Sequence, residues 1–441
     1  MSQGAQSILT PWEVEAFVQN LQRTDLENVG TKSWFECHKK LMLLNEQSVF
    51  EASGLREESV KEWFVTFGKI PLLIFEAIQI MIWKQKVFPL LVDLHGEPSN
   101  TFMLFSVFYH EEVAVSLLEN LLFHSDSVES IDDSAVDLID YAVSYVTMLL
   151  YRENTKTPAD DSESCLEELA AKRLQIEFDL GMRCVSILRY LAEFADNLPL
   201  CALSRMLTTN DVPYLFSQLV ELQPWRRRND KGDTMIYNGR WEKLEDCDQD
   251  KICKFEAQVW FGLRELLLNP KCAPYYHITE VRLSQLTKLQ KYMQEYVLDQ
   301  IAPLIDLRRW LGYLNVTSQT PSSQPPINVE VIPEISSAIE EKYKKRWKRL
   351  AEHQAKTLFS KDIEHIKNMA QILSEAYDFD KLDIVDSKKC FECKNVAKHR
   401  CSKCKEAWYC GRECQVKDWT NHKTICDNIS KSKEECSKII D

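Results

Sequence analysis

Residues 133–151 read Asp-Ser-Ala-Val-Asp-Leu-Ile-Asp-Tyr-Ala-Val-Ser-Tyr-Val-Thr-Met-Leu-Leu-Tyr. Val136, Ile139, Ala142, Val143 and Val146 fall three or four positions apart, the period of a helix with one apolar face. Residues 166–194 and 255–268 carry the same pattern. Upstream, Thr10-Pro11-Trp12-Glu13 supplies an N-cap, a proline at the first helical position and a glutamate at the third, a capping-box start. Val, Ile and Thr do not alternate in runs, so sheet has little support. The fold expected is mostly α.

A weak repeat overlies these helices. An apolar residue, a proline and then Leu-rich sequence recur at Ile70-Pro71-Leu72-Leu73, Phe88-Pro89-Leu90-Leu91, Val212-Pro213-Tyr214-Leu215 and Ala302-Pro303-Leu304-Ile305. Proline in the first turn of a leucine-rich helix is a feature of armadillo- and HEAT-type repeats, although it also starts ordinary helices. So long a run of helices seldom makes one bundle, which favours an armadillo/HEAT-like solenoid over residues 1–316. Two polar stretches, 152–164 and 226–250, read as a loop and a longer insertion. Residues 317–333, with Pro321, Pro325 and Pro326 among Ser and Gln, have linker composition. A helical extension is expected at 334–378, a cysteine-rich module at 387–426 and a charged tail at 427–441.

Composition narrows the function. Of 441 residues 45% are hydrophobic, enough for a sizeable core, and only 11 are glycine. That is about a third of ordinary usage, and it leaves no Gly-rich phosphate cradle. With 54 Lys and Arg against 67 Asp and Glu, the net charge of −13 is the wrong sign for coating nucleic acid. The longest apolar run, 70–83, is interrupted by Glu76 and Gln79 and is shorter than the ~20 residues of a membrane span. The N-terminus has no signal-like segment, so a reducing compartment, cytosol or nucleus, is expected.

Seven of the 15 cysteines crowd into residues 390–426. They are spaced Cys390-x2-Cys393-x7-Cys401-x2-Cys404-x5-Cys410-x3-Cys414-x7-His422-x3-Cys426. Eight soft ligands make two complete tetrahedra, the coordination of structural Zn²⁺, so two ions are expected. Cys410/Cys414 and His422/Cys426 are each four residues apart and share a helical face. Spacing alone permits either sequential or interleaved pairing. With every position filled by protein, no open site remains for metal catalysis. From Ser387 onward there are 13 basic and 8 acidic residues. Seven thiolates and two dications reduce that formal excess to about +2, too little for phosphate recognition.

The ligand string resembles the MYND zinc finger at every position, and Trp408-Tyr409-Cys410 and Asp418-Trp419 match its flanks. The resemblance implies cross-bracing, with Cys390, Cys393, Cys410 and Cys414 on one ion and Cys401, Cys404, His422 and Cys426 on the other. It also implies a groove for short proline-containing peptides, at positions occupied here by Ser402, Gln415 and Trp419. The plainer alternative is a zinc staple in which Trp419 is core.

Other candidates carry less. In the basic stretch 342–349, Ile339, Tyr343, Trp347 and Leu350 fall at helical spacing, which favours a docked amphipathic helix over an import signal or anion site. His110-Glu111 begins like a zincin motif, but Ala114 stands where the second histidine belongs. His38, His95, His124 and His277 look isolated, and the cysteines outside the cluster look like small apolar residues. No nucleophile elbow, P-loop or dinucleotide fingerprint is present, so an enzyme is not expected.

Ile82-Trp83-Lys84-Gln85-Lys86-Val87-Phe88-Pro89, Leu203-Ser204-Arg205-Met206-Leu207, Gln258-Val259-Trp260 and Leu266-Leu267-Leu268-Asn269-Pro270 carry a broader resemblance. Together with the finger they are similar to MYND-containing assembly factors for axonemal dynein arms. That resemblance implies a cytoplasmic adaptor or co-chaperone needed for motile cilia and flagella. Its partners would be other assembly factors, chaperones and co-chaperones, and dynein chains as clients, with no nucleic acid and no membrane. Centrosomal, centriolar-satellite or apical locations in ciliated cells are further expectations. A nuclear co-repressor adaptor is the alternative. A SET–MYND methyltransferase is not expected, since catalytic sequence flanks the finger on both sides in those enzymes and only 15 residues follow Cys426 here.

Overall fold

The helical periods give helices at the expected places in a computed structural model of the chain. It describes residues 8–54, 56–151, 164–229, 231–245, 250–316, 332–374, 392–393, 399–400, 408–419, 422–423 and 426. The chain divides into two compact units, Met1–Ala376 and Tyr377–Asp441. All but Ser164 of the expected loop at 152–164, residues 317–331 of the expected linker at 317–333, and the tail at 427–441 lie outside the described residues.

The first unit opens with α1 (Pro11–Gln19), α2 (Lys32–Ser53) and α3 (Ser59–Thr66). Glu13 caps the start of α1, accepting the Thr10 N–H at 2.8 Å. Next come α4 (Ile70–Lys86), α5 (Phe88–His95), α6 (Phe102–Leu121), α7 (Ser125–Glu129), α8 (Ser134–Tyr151), α9 (Cys165–Glu193), α10 (Leu200–Ser204) and α11 (Val212–Leu222). After a small sheet, the chain adds α12 (Lys254–Leu268), α13 (Glu280–Lys288), α14 (Glu295–Gln300) and α15 (Leu304–Val316).

These helices stack in two rows. One row runs α2, α6, α9, α12, α15 and the other α4, α8, α11, α13, with cross-pairs α4–α6, α8–α9, α11–α12 and α13–α15. Each pair touches mainly its neighbours, which is a helical solenoid. The prolines do not mark a single row. Those at 71, 89 and 213 open α4, α5 and α11, and Pro303 precedes α15 in the opposite row. A proline satisfies the first helical turn wherever a helix starts, so it reports a beginning and not a layer.

In α8 the apolar face is Val136, Ile139, Ala142 and Val146, all buried, with Tyr141 and Tyr145 beside them and Val143 only half-buried. The run at 70–83 becomes the core helix α4. No single helix among the described residues is long and apolar enough to cross a membrane.

The interruptions of that apolar run have partners. Glu76 is fully buried and accepts the Thr24 N–H at 2.9 Å and its hydroxyl at 2.8 Å. Lys84 lies 2.6 Å from Glu111 of α6 and donates to the Tyr145 hydroxyl at 2.8 Å. Glu111 also accepts the hydroxyls of Tyr141 at 2.7 Å and Tyr145 at 2.6 Å. Burial, followed by the Glu111 charge, pushes both tyrosine pKa values well up, so both remain donors. His38 does not stand alone. Its Nδ1 is 3.0 Å from Nδ1 of His110, and burial, then His110, holds its pKa well below the usual histidine value. One ring must therefore donate and the other accept.

The insertion expected at 226–250 lies between α11 and α12, but it is not a plain loop. It folds as an antiparallel meander of β1 (Arg226–Arg228), β2 (Thr234–Tyr237) and β3 (Trp241–Lys243). Tyr237 pairs with Trp241, and Gly239 in the intervening turn has φ +94°. Asn-Gly between apolar residues is a hairpin signal, and here it sits at 238–239. Tyr237 donates to Asp179 of α9 at 2.5 Å, and Trp241 stacks on Phe178, which fixes the sheet to the helical stack.

The last helices of the unit, α16 (Glu334–Tyr343), α17 (Trp347–Leu358) and α18 (Ile363–Ser374), do not continue the rows. They return to the start of the solenoid, α16 on α4 and α8, α17 on α5 and α18 on α2. Asp137 of α8 accepts the N–H groups of Glu334 at 3.2 Å and Ile335 at 3.0 Å, so one helix supplies the N-terminal cap of another. Gln354 accepts the Trp83 indole N–H at 2.8 Å and donates to the Leu26 carbonyl at 2.5 Å, all of it buried. The apolar positions expected on one helix are split across two, because residues 344–346 form a turn. Ile339, Tyr343 and Leu350 are buried and Trp347 is half-buried.

Two stability tests follow from these contacts. Lys84→Met leaves Glu111 buried without its cation and should cost about 3–5 kcal/mol in chemical denaturation. Adding Glu111→Gln keeps an acceptor for the two tyrosines and should recover about half or more of the loss. Near the sheet, burial pushes the Glu112 carboxyl up to about 7, with Arg183 opposing and Asp179 reinforcing the shift. The folded chain thus holds a proton that the unfolded chain releases between about pH 4.5 and 7. This group's contribution therefore declines as pH rises through that window, by up to about 3 kcal/mol. Glu112→Gln should melt higher than wild type at pH ~8 and match it near pH ~5.

Candidate metal centre

In the second unit, β4 (His399–Arg400) pairs antiparallel with β5 (Trp408–Tyr409), with His399 opposite Tyr409 and Arg400 opposite Trp408. The second strand delivers Cys410, and residues 412–419 then form a helix carrying Cys414 one turn further on. Cys393 arrives from a turn earlier in the chain. The three sulfurs, one from each of Cys393, Cys410 and Cys414, lie within 4.8 Å of one another. The Cys393–Cys410 and Cys410–Cys414 separations are 3.4 Å and 3.5 Å.

These distances suit a metal. Four thiolates ~2.3 Å from a tetrahedral zinc stand about 3.8 Å apart. The trio is therefore already close to the edge lengths of one coordination tetrahedron, and Cys390, which would supply the fourth corner, lies outside the described residues. Thiols this close can release their protons to a common cation, as structural zinc sites do. Such an ion would hold the strand end, the helix and the preceding turn together.

His422 and Cys426 are both buried. Tyr409 is buried. It donates to Asp418 at 2.8 Å and its ring meets His422 edge-on at 6.1 Å. Trp419, on the same helix as Cys414, is 40% exposed and Gln415 is half-buried. Cys401, Cys404 and Ser402 lie outside the described residues.

The cysteines of the first unit contrast with these. Burial pushes Cys37, Cys253 and Cys272 up to about 12, which disfavours the thiolate a metal needs. His110 and Glu111, the incomplete zincin start, are consumed by the buried network described above. Sequence spacing cannot show which polar groups meet in the interior.

The MYND finger family profile matches residues 390–426. The zinc finger MYND domain-containing protein 10 homolog of Drosophila melanogaster is 34% identical over 94% of this chain and 98% of its own length. The chain belongs to the zinc finger MYND domain-containing protein 10 family. The mouse Tudor domain-containing protein 1 is 41% identical over 46 residues, 10% of this chain and 4% of that protein. That second likeness is too short to extend beyond one module. No solved structure matches the chain.

Loading this family member with cobalt(II) in place of zinc should give an intense near-ultraviolet thiolate-to-metal band. Cys414→Ala should weaken that band while leaving the far-ultraviolet helical signal unchanged. An undiminished band would remove Cys414 from the ligand set.

Proposed function

We propose that this protein is a non-catalytic cytoplasmic adaptor or co-chaperone for the preassembly of axonemal dynein arms. In this reading the helical body holds a client or chaperone, and the MYND finger recruits a second assembly factor. Membership of the MYND domain-containing protein 10 family supports this assignment, with the family's role entering through the sequence resemblance described above. The structural observation that carries the adaptor reading is the 40% exposure of Trp419, beside the half-buried Gln415. A tryptophan used only as core would be covered by its own finger. An exposed aromatic next to a polar side chain on a rigid helix is the usual anchor of a small protein–protein contact.

Two structural zinc ions fit this role. Cys390, Cys393, Cys410 and Cys414 would hold one, and Cys401, Cys404, His422 and Cys426 the other. The convergence of Cys393 with Cys410 and Cys414 supports the interleaved pairing, because sequential pairing would put Cys393 with Cys401 and Cys404. Eight protein ligands leave no position for substrate, so the metal's role is to shape the recognition surface. The acidic solenoid offers an extended face on which to grip a folding chain.

The test is quantitative mass spectrometry of proteins co-purifying with the full chain from multiciliated cells. Wild type should bring down dynein chains, chaperones and assembly factors, and Trp419→Ala should lose one subset of at least about tenfold while retaining the rest. Retention of every partner would overturn the role of the finger surface. A set dominated by chromatin proteins would replace the dynein reading with the nuclear co-repressor one.

A further inference from the structure

The turn between α16 and α17 concentrates positive charge on a strongly acidic chain. Lys345, Arg346, Lys348 and Arg349 are all exposed, and none forms an ion pair among the described residues. Their neighbours behave differently. Lys342 pairs with Asp25, and Lys344 lies 3.0 Å from Glu341. Elsewhere in the unit, cations such as Lys61, Lys84, Arg183, Arg205 and Arg282 each have a carboxylate partner.

These four charges do not serve the fold. Arg346 stands at the N-cap of α17 without a side-chain cap hydrogen bond, and the first turn contains no acidic residue. Lys348 and Arg349, in the first turn of α17, sit at the end of that helix where its dipole disfavours cations. The base beneath it is rigid. Tyr343 and Leu350, on either side of the turn, are 1% and 4% exposed, and Gln354 one turn further on is locked by its two buried hydrogen bonds. A ligand meeting this turn would therefore not have to order it first.

We propose that residues 345–349 form a docking surface for a short acidic peptide segment, a few consecutive Asp or Glu residues of a partner protein. The neighbouring carboxylates favour a short ligand over a long polyanion. Asp25, Glu340 and Glu341 flank the turn, each beside a lysine, and a nucleic acid or an anionic membrane extending past the four cations would meet them and the acidic body behind. The surface lies in the first compact unit.

Fluorescence anisotropy with the full chain tests this, using fluorescein-labelled hexaglutamate as the probe. Hexaglutamate should bind at low ionic strength, weaken as salt is added, and lose at least about tenfold in affinity in K345E/R346E/K348E/R349E. The uncharged control hexaglutamine should not bind. Far-ultraviolet circular dichroism should show the charge-reversed variant folded at the assay temperature, and the milder Arg346→Gln/Arg349→Gln variant, which adds no acidic charge, should show a smaller loss of affinity in the same direction. Absence of hexaglutamate binding, or equal binding by wild type and both variants, would overturn the proposal. So would tighter binding of oligouridylate or phosphatidylserine vesicles that the same substitutions abolish, because the turn would then be a polyanion site of another class.

Discussion

The Lys84–Glu111 ion pair is the constraint around which the first unit is organised. It joins α4 to α6 at 2.6 Å, and through Tyr141 and Tyr145 it reaches α8, the next helix of the α4 row. A charge buried this deeply is tolerated only when its counter-ion and hydrogen-bond donors are all in place. That requirement is directional, whereas apolar packing is not. Sliding α4 past α6 by one turn would strand both charges, so the pair fixes the register of helices whose leucine-rich surfaces would otherwise accept several. The His38–His110 contact and the Glu76–Thr24 bonds extend this specification to α2 and the preceding loop.

A second constraint closes the unit. A solenoid built from neighbour contacts leaves an apolar surface at its terminal repeats. Here helices from far along the sequence, α16 to α18, cover the first repeats. Asp137 caps α16, and Gln354 joins α17 to Trp83 and Leu26 across 271 and 328 residues. Gly30 allows this approach. Its φ is +84°, and a Cβ there would stand 2.5 Å from Leu358. The cover also gives the basic turn its rigid base, so the same packing that shields the N-terminal repeats presents four cations to solvent.

The finger follows another logic. About forty residues can bury little apolar surface, and metal ligation supplies what packing lacks. Among the described residues of the finger Tyr409 is buried and Trp419 is 40% exposed.

The ligand string, the helical periods and the proline starts were legible in the sequence because each depends on spacing of three, four or two residues. Local backbone geometry converts such spacings directly into shared faces and knuckles. The three-stranded meander was legible in principle through Asn238-Gly239, yet short strands among charged residues give almost no period to read. The sequence by itself therefore determined a mostly helical body followed by a cysteine-ligated finger. Only the tertiary structure decided that α16 to α18 return to the first repeats, that Glu76, Lys84, His38, His110 and Glu111 are interior, and that Cys393 meets Cys410 and Cys414. Each of these depends on which of many compatible surfaces come together across tens or hundreds of residues. The free energy that selects among them, of complete hydrogen bonding around buried charge and of exact volume, belongs to no single segment of the chain.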